Sequence, residues 1–140
     1  MKTMKLAGLT AVAAIALAGP ALADVNEFIG AWKNVDGNTR GVIGLTISDS
    51  APDIDVHVWG QCHPTPCDWG TVQATPYGDS VQSLLPAQTE VLRGEYNQSF
   101  GRTQIIIHKA PNDELRVEVL TDFTDGSARS NYYSTYYFKK

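Results

Sequence analysis

Trp59-Gly60-Gln61-Cys62-His63-Pro64-Thr65-Pro66-Cys67-Asp68-Trp69-Gly70 is the stretch on which the fold turns. Folded back so that Cys62 faces Cys67, it sets Trp59 opposite Gly70 and Gly60 opposite Trp69. Each indole then lies across from a residue with no side chain. Aromatic rings that cover cross-strand glycines fix register and restore buried area. Two antiparallel strands with a disulfide at their tip account for all six residues. Ile54, Val56, Val58, Trp69 and Thr71 share the face of the cysteines and form the expected inner wall. Asp55, His57, Trp59, Gln61 and Asp68 take the outer face.

Outward from this hairpin the chain alternates in short segments separated by Gly, Pro, Asn and Asp, with almost no helical period. The expected strands are 28–34, 40–48, 54–62, 67–75, 90–97, 102–109, 115–123 and 131–139. In the second, Ile43, Leu45 and Ile47 share one face, and Val42, Gly44 and Thr46 the other. The Ile105-Ile106-Ile107 run suggests burial on both faces or a crowded sheet. Connections are short, and none holds the dozen residues of helical pattern that a parallel crossover needs. The pattern predicts an all-β fold, an eight-stranded antiparallel meander closed into a barrel, which leaves no exposed sheet edge. A sandwich is the alternative, with Greek-key crossovers and longer connections.

The first 23 residues read as an export signal. Lys2 and Lys5 supply its positive start, Leu6 to Leu17 its apolar run, and Ala21-Leu22-Ala23 its cleavage site. The run is too short to span a bilayer, and no later stretch is long and apolar enough to do so. No cysteine at the cleavage site offers a lipid anchor. Residues 24–140 then form one domain, secreted or periplasmic. With Lys2 and Lys5 in the leader, nine basic and fifteen acidic residues remain in that domain, a formal charge of −6. Such a chain, without a Lys/Arg cluster, is a poor partner for nucleic acid or an anionic membrane.

Cys62 and Cys67 are the two cysteines of the chain. In an oxidising compartment they pair, and closing so small a loop stabilises by roughly 2 kcal/mol. A metal site on Cys62, Cys67 and His63 would need a fourth ligand and reduced thiols; no metal and no cofactor is expected.

Phe28-Ile29-Gly30-Ala31-Trp32-Lys33-Asn34 resembles the opening of avidin-like and lipocalin-like barrels, which begin with Gly-x-Trp at the head of the first strand. The resemblance implies that Trp32 plugs a closed barrel end. In avidins an Asn two positions after the Trp lies in the ligand pocket, and Asn34 matches that spacing. Biotin binding is not implied, because Val35-Asp36-Gly37-Asn38-Thr39 is not an avidin-type loop and the pocket tryptophans of later strands are missing. The hairpin motif also resembles one carried by a small family of bacterial secreted domains.

Candidate binding residues follow from these placements. Trp69 is either core or a ligand platform, and Trp59 either covers Gly70 or offers a sugar-stacking surface. The last strand puts Tyr132, Tyr136 and Phe138 on one side, and Tyr133 and Tyr137 on the other, where they suit an interface or a glycan. His63-Pro64-Thr65-Pro66 is a rigid displayed loop, since two prolines and a disulfide restrict it; His63 and Thr65 are its contact residues. No Gly-x-Ser-x-Gly elbow, His-Glu-x-x-His helix or phosphate loop occurs, and His57, His63 and His108 lie in no motif of known mechanism. The paired acids Asp53/Asp55 and Glu118/Asp122 read as solvated.

The expectation is a non-catalytic binder of a small molecule or glycan through Asn34, Trp69, Tyr132, Tyr136, His63 and Thr65. The alternative is a protein-interaction module, an inhibitor or an envelope subunit, acting through the His63-Pro64-Thr65-Pro66 tip. A binder should hold a cavity with polar groups among aromatics; an interaction module should have a filled barrel and an exposed apolar patch near the tip or the last strand.

Overall fold

The computed structural model describes residues 24–140. The expected export signal lies outside the described residues. A single 3-10 turn, Val25–Glu27, precedes eight strands. These are β1 (Gly30–Asn34), β2 (Val42–Ser50), β3 (Asp53–Gly60), β4 (Cys67–Tyr77), β5 (Val91–Gln98), β6 (Gly101–Ala110), β7 (Glu114–Phe123) and β8 (Tyr132–Lys139). Each pairs antiparallel with the next, and β8 returns to β1 through Lys33–Lys139 and Asn34–Phe138, so the meander closes into a barrel. Among the described residues no helix is long and apolar enough to cross a membrane.

Alternation builds the core. Ile54, Val56 and Val58 of β3, Ile105 and Ile107 of β6, and Leu115, Val117 and Val119 of β7 all point inward and are buried. Ile106, between its two buried neighbours, is half-buried on the outer face. The longest ladder joins β6 to β7, from Gly101–Phe123 to Ala110–Glu114. β4 and β5 pair only at Thr75–Arg93, Pro76–Leu92 and Tyr77–Val91, and part company toward the hairpin end. Across that gap the Tyr96 hydroxyl donates to the Val56 carbonyl at 2.7 Å.

The expected registers are corrected by an offset at the hairpin tip, where the ladder begins two residues back from Cys62, and by two bulges. In the hairpin Trp59 faces Asp68 and Gly60 faces Cys67, whereas His57 faces Thr71. Trp69 and Gly70 therefore both oppose Val58, a β-bulge with Gly70 at φ +82°, where glycine carries no Cβ penalty. The surplus residue reverses parity beyond it: Thr71 points outward, and Val72 and Ala74 turn toward the interior. Trp59 does not cover Gly70, which has open space where a Cβ would be; it stacks on His57 with ring centroids 4.1 Å apart. Trp69 does lie over Gly60, where a Cβ would come within 2.8 Å of the indole Nε1.

The second bulge lies between Val42, opposite Gly60, and Gly44, opposite Trp59. It buries Val42 and leaves Ile43 half-buried, contrary to the face expected from alternation. β3 runs regularly while both neighbours carry one extra residue at the same level. Extra residues at a barrel rim bend and twist the strands.

The first strand also starts later than expected. Phe28 ends the 3-10 turn, and its carbonyl accepts the Trp32 indole N–H at 2.8 Å. Phe28 and Trp32 are both buried and fill one end of the barrel. Lys109 and Lys140 lie 5.5 and 4.9 Å from the Trp32 ring centre. The placement of Trp32 agrees with what the Gly-x-Trp resemblance implies.

Candidate ligand cavity at the open end

The opposite end holds a cavity of about 490 Å³. Its inner part is aromatic. Trp69 meets the buried Tyr96 edge-on, ring centres 5.7 Å apart at 73°. Burial, and then the charge of Asp68, push the Tyr96 hydroxyl far above its ordinary range, so the phenol stays neutral. Tyr136 lies against Gly41, where a Cβ would overlap its hydroxyl. Gly41 is thus the residue that lets the ring reach the wall.

The wall formed by β6, β7 and β8 carries hydroxyls. Thr103 and Thr121 face each other across the ladder, and Ser134 stands opposite Val119, one inward position along from Thr121. These three hydroxyls make no hydrogen bond to a protein group among the described residues. No fully buried side-chain oxygen or nitrogen lacks a partner there, so the three keep access to the cavity.

The mouth is built from the four strand connections around it, β1–β2, β3–β4, β5–β6 and β7–β8. Phe123 has Phe100 and Tyr132 beside it, each with ring centres 6.1 Å away. The Arg129 guanidinium lies 4.0 Å from the Phe123 ring centre, bonding Asp125 at 2.6 Å and Ser127 at 3.1 Å. Hydrogen bonds from Ser127, and then Arg129, hold the Asp125 carboxyl down to about 2. The β7–β8 connection is pinned further by the Thr124 N–H on the Phe100 carbonyl at 3.0 Å. The disulfide joins Cys62 to Cys67 as expected, and both line the rim. The Gln61 N–H donates to the Gly41 carbonyl at 2.7 Å, tying the hairpin to the β1–β2 connection.

Of the six residues singled out from the sequence, Trp69, Tyr132 and Tyr136 come together on this cavity. Asn34 is buried beside it but does not line it. Its amide N–H donates to the Val42 carbonyl at 2.7 Å, and its carbonyl accepts the Asp36 N–H at 2.9 Å. Both ends of that side chain hold the β1–β2 connection in place. His63 and Thr65 are exposed on the hairpin tip, beyond the lining.

The hydroxyl wall, Arg40, Arg129, Phe100 and Phe123 were not singled out. Parity carries the signal for the hydroxyls: Thr103 keeps step with Ile105 and Ile107, Thr121 with Val117 and Val119, and Ser134 with Tyr136 and Phe138. Arg40, Phe100 and Arg129 lie in connections, where no period places them.

On the outer face His57 bridges two groups. Its Nε2 is 2.5 Å from Asp68, and its Nδ1 is 2.9 Å from the Thr71 hydroxyl. The Gly70 N–H donates to the same Asp68 carboxylate at 2.7 Å. The Gly70 N–H is the largest influence and lowers the Asp68 carboxyl below its usual value; desolvation opposes it, and His57 adds a lesser lowering. Thr71 stands exposed on the outer wall and does not line the cavity. The chain of contacts braces the bulge that aims Trp69 inward. Among the described residues no group of three or more His, Cys, Asp or Glu side chains is placed to hold a metal ion.

No protein-family model matches the chain, and neither a curated protein nor a solved structure matches it significantly. Its class rests on topology: an eight-stranded antiparallel closed barrel, consistent with a calycin-like fold.

Proposed function

We propose that this protein is a non-catalytic carrier or receptor for a small molecule, of avidin-like or lipocalin-like design, working outside the cytoplasm. The observation that carries the reading is the hydroxyl wall: Thr103, Thr121 and Ser134 present oxygens, without partners among the described residues, to a cavity of about 490 Å³. That volume falls within the range of small-ligand sites, which combine apolar and aromatic surface with a few convergent polar groups. Trp69, Tyr132 and Tyr136 supply the aromatic surface, and the clamped hairpin and the Arg129–Asp125 clasp hold the rim in shape before a ligand arrives. The disulfide fits an oxidising compartment. The alternative, an interaction module acting through the His63-Pro64-Thr65-Pro66 tip, called for a filled barrel and an exposed apolar patch near the tip or last strand; the cavity speaks against the first, while exposed Tyr133 and Tyr137 on β8 agree with the second.

The test uses N-phenylnaphthylamine, a neutral dye that brightens in apolar cavities. The expected result is one saturable site in the wild type. Ser134→Trp fills the cavity from its wall and should abolish the signal while circular dichroism retains the β spectrum. Thr121→Met is the milder second variant, expected to weaken binding. Unchanged binding in both folded variants would place the dye elsewhere and overturn the reading.

A further inference from the structure

We infer that the mouth of this cavity recognises an anion through Arg40, and that the ligand is a planar aromatic molecule bearing one carboxylate or sulfonate group. The inference rests on the small-ligand reading above. It begins from the arginines. Arg93 lies against Tyr77 and Glu95, Arg102 bonds Asp122, Arg116 bonds Glu118, and Arg129 bonds Asp125. Arg40 alone has no ion pair or side-chain hydrogen bond among the described residues. Residues 24–140 contain fifteen acids and nine bases, so a guanidinium left without a carboxylate is the exception in this chain.

Its position is also particular. Arg40 stands on the cavity rim, next to the Gly41 that Tyr136 lies against and that accepts the Gln61 N–H. The backbone is therefore anchored one residue away from a free, exposed guanidinium. Three charged residues line the cavity: Arg40, Arg129 and Asp68. Asp68 is taken up by the Gly70 N–H and His57, and Arg129 by Asp125. A cationic ligand would meet two guanidiniums and a committed carboxylate. An anion would meet Arg40, whose planar fork suits two parallel hydrogen bonds to a carboxylate or sulfonate. Next to low-dielectric walls such a contact is stronger than in open water.

The rings give the shape. Trp69 and Tyr136 lie inside, Tyr132 and Phe123 at the mouth, so a flat aromatic body can lie between them with its charged end outward. Hydroxyl or carbonyl substituents on that body would meet Thr103, Thr121 and Ser134.

Two dyes of similar shape test this: anilinonaphthalene sulfonate, which is anionic, and neutral N-phenylnaphthylamine. Arg40→Gln should weaken the sulfonate by about tenfold or more, the order of one charge-assisted pair, and leave the neutral dye within about twofold. Salt should weaken the sulfonate alone in the wild type. Arg116→Gln, on the outer wall, should change neither. Equal effects of Arg40→Gln on both dyes, or no effect on either, would overturn the anion assignment while leaving the cavity reading intact. Failure of the wild type to bind the neutral dye would instead count against the cavity reading, and the anion assignment would fall with it.

Discussion

The two ends of the barrel use the same strands and the same alternation, yet they treat their polar groups in opposite ways. At the closed end the Trp32 N–H is bonded to Phe28, and the residues facing inward are Leu45, Ile47, Ile107 and Leu115. At the open end the inward position of β6 changes from Ile105 to Thr103, and that of β7 from Val119 to Thr121. Among the described residues no protein group bonds these hydroxyls. The contrast teaches that strand pattern specifies the wall, whereas the polar atoms left without partners along it mark the place proposed above for a ligand.

The largest effect belongs to the closed end. Trp32→Ala removes a buried indole and should lower stability by about 3–5 kcal/mol in chemical denaturation. Dye binding, measured where the variant is still folded, should persist. Loss of binding in the folded variant would mean that the two ends are not independent.

Trp69→Ala sharpens the comparison from the other side. Trp69 is only half-buried, so its loss should destabilise less than that of Trp32. It should weaken the neutral dye by about tenfold, equivalent to 1.4 kcal/mol. A stability loss as large as that of Trp32→Ala, with unchanged dye affinity, would assign Trp69 to packing alone.

The smallest effect concerns the clasp at the mouth. Asp125 has its folded-state carboxyl depressed from 3.8 to about 2, so its contribution is present above the unfolded value and fades as pH falls from 3.8 toward 2. Asp125→Asn should lower the melting temperature slightly at pH 6, and the difference from wild type should vanish near pH 2. A difference that persists at pH 2 would mean the carboxylate charge is not what holds the connection.

The order of strands, the pairing of Cys62 with Cys67 and the inward side of the last strand were legible because each follows from a period of two or from a short loop. Register in the hairpin was not. Symmetry about the two cysteines puts Cys62 opposite Cys67, but the ladder pairs Gly60 with Cys67 and leaves Gln61 and Cys62 in the tip, and the surplus residue at Trp69–Gly70 then shifts the pairing back by one; neither Gly70 nor Gly44 announces that in sequence. Ile43 was misplaced for the same reason. Asn34 has the spacing of a pocket residue, but its amide is bonded to the backbone at both ends of the β1–β2 connection. The threonines and the serine were readable by parity, though hydroxyl residues are ordinary in strands and nothing in one sequence tells which lack a partner. Arg40 lies in a connection, and only three-dimensional neighbours show that it is free.

The surplus residue at Trp69–Gly70 acts on β4 as an inserted letter acts on a reading frame. Upstream of it, odd-numbered positions are those that look into the barrel; downstream, Val72 and Ala74 make the even ones do so. Anyone grafting this hairpin onto another barrel must carry the extra residue along, or the second half of the transplanted strand will present its threonines to the core and its valine to water.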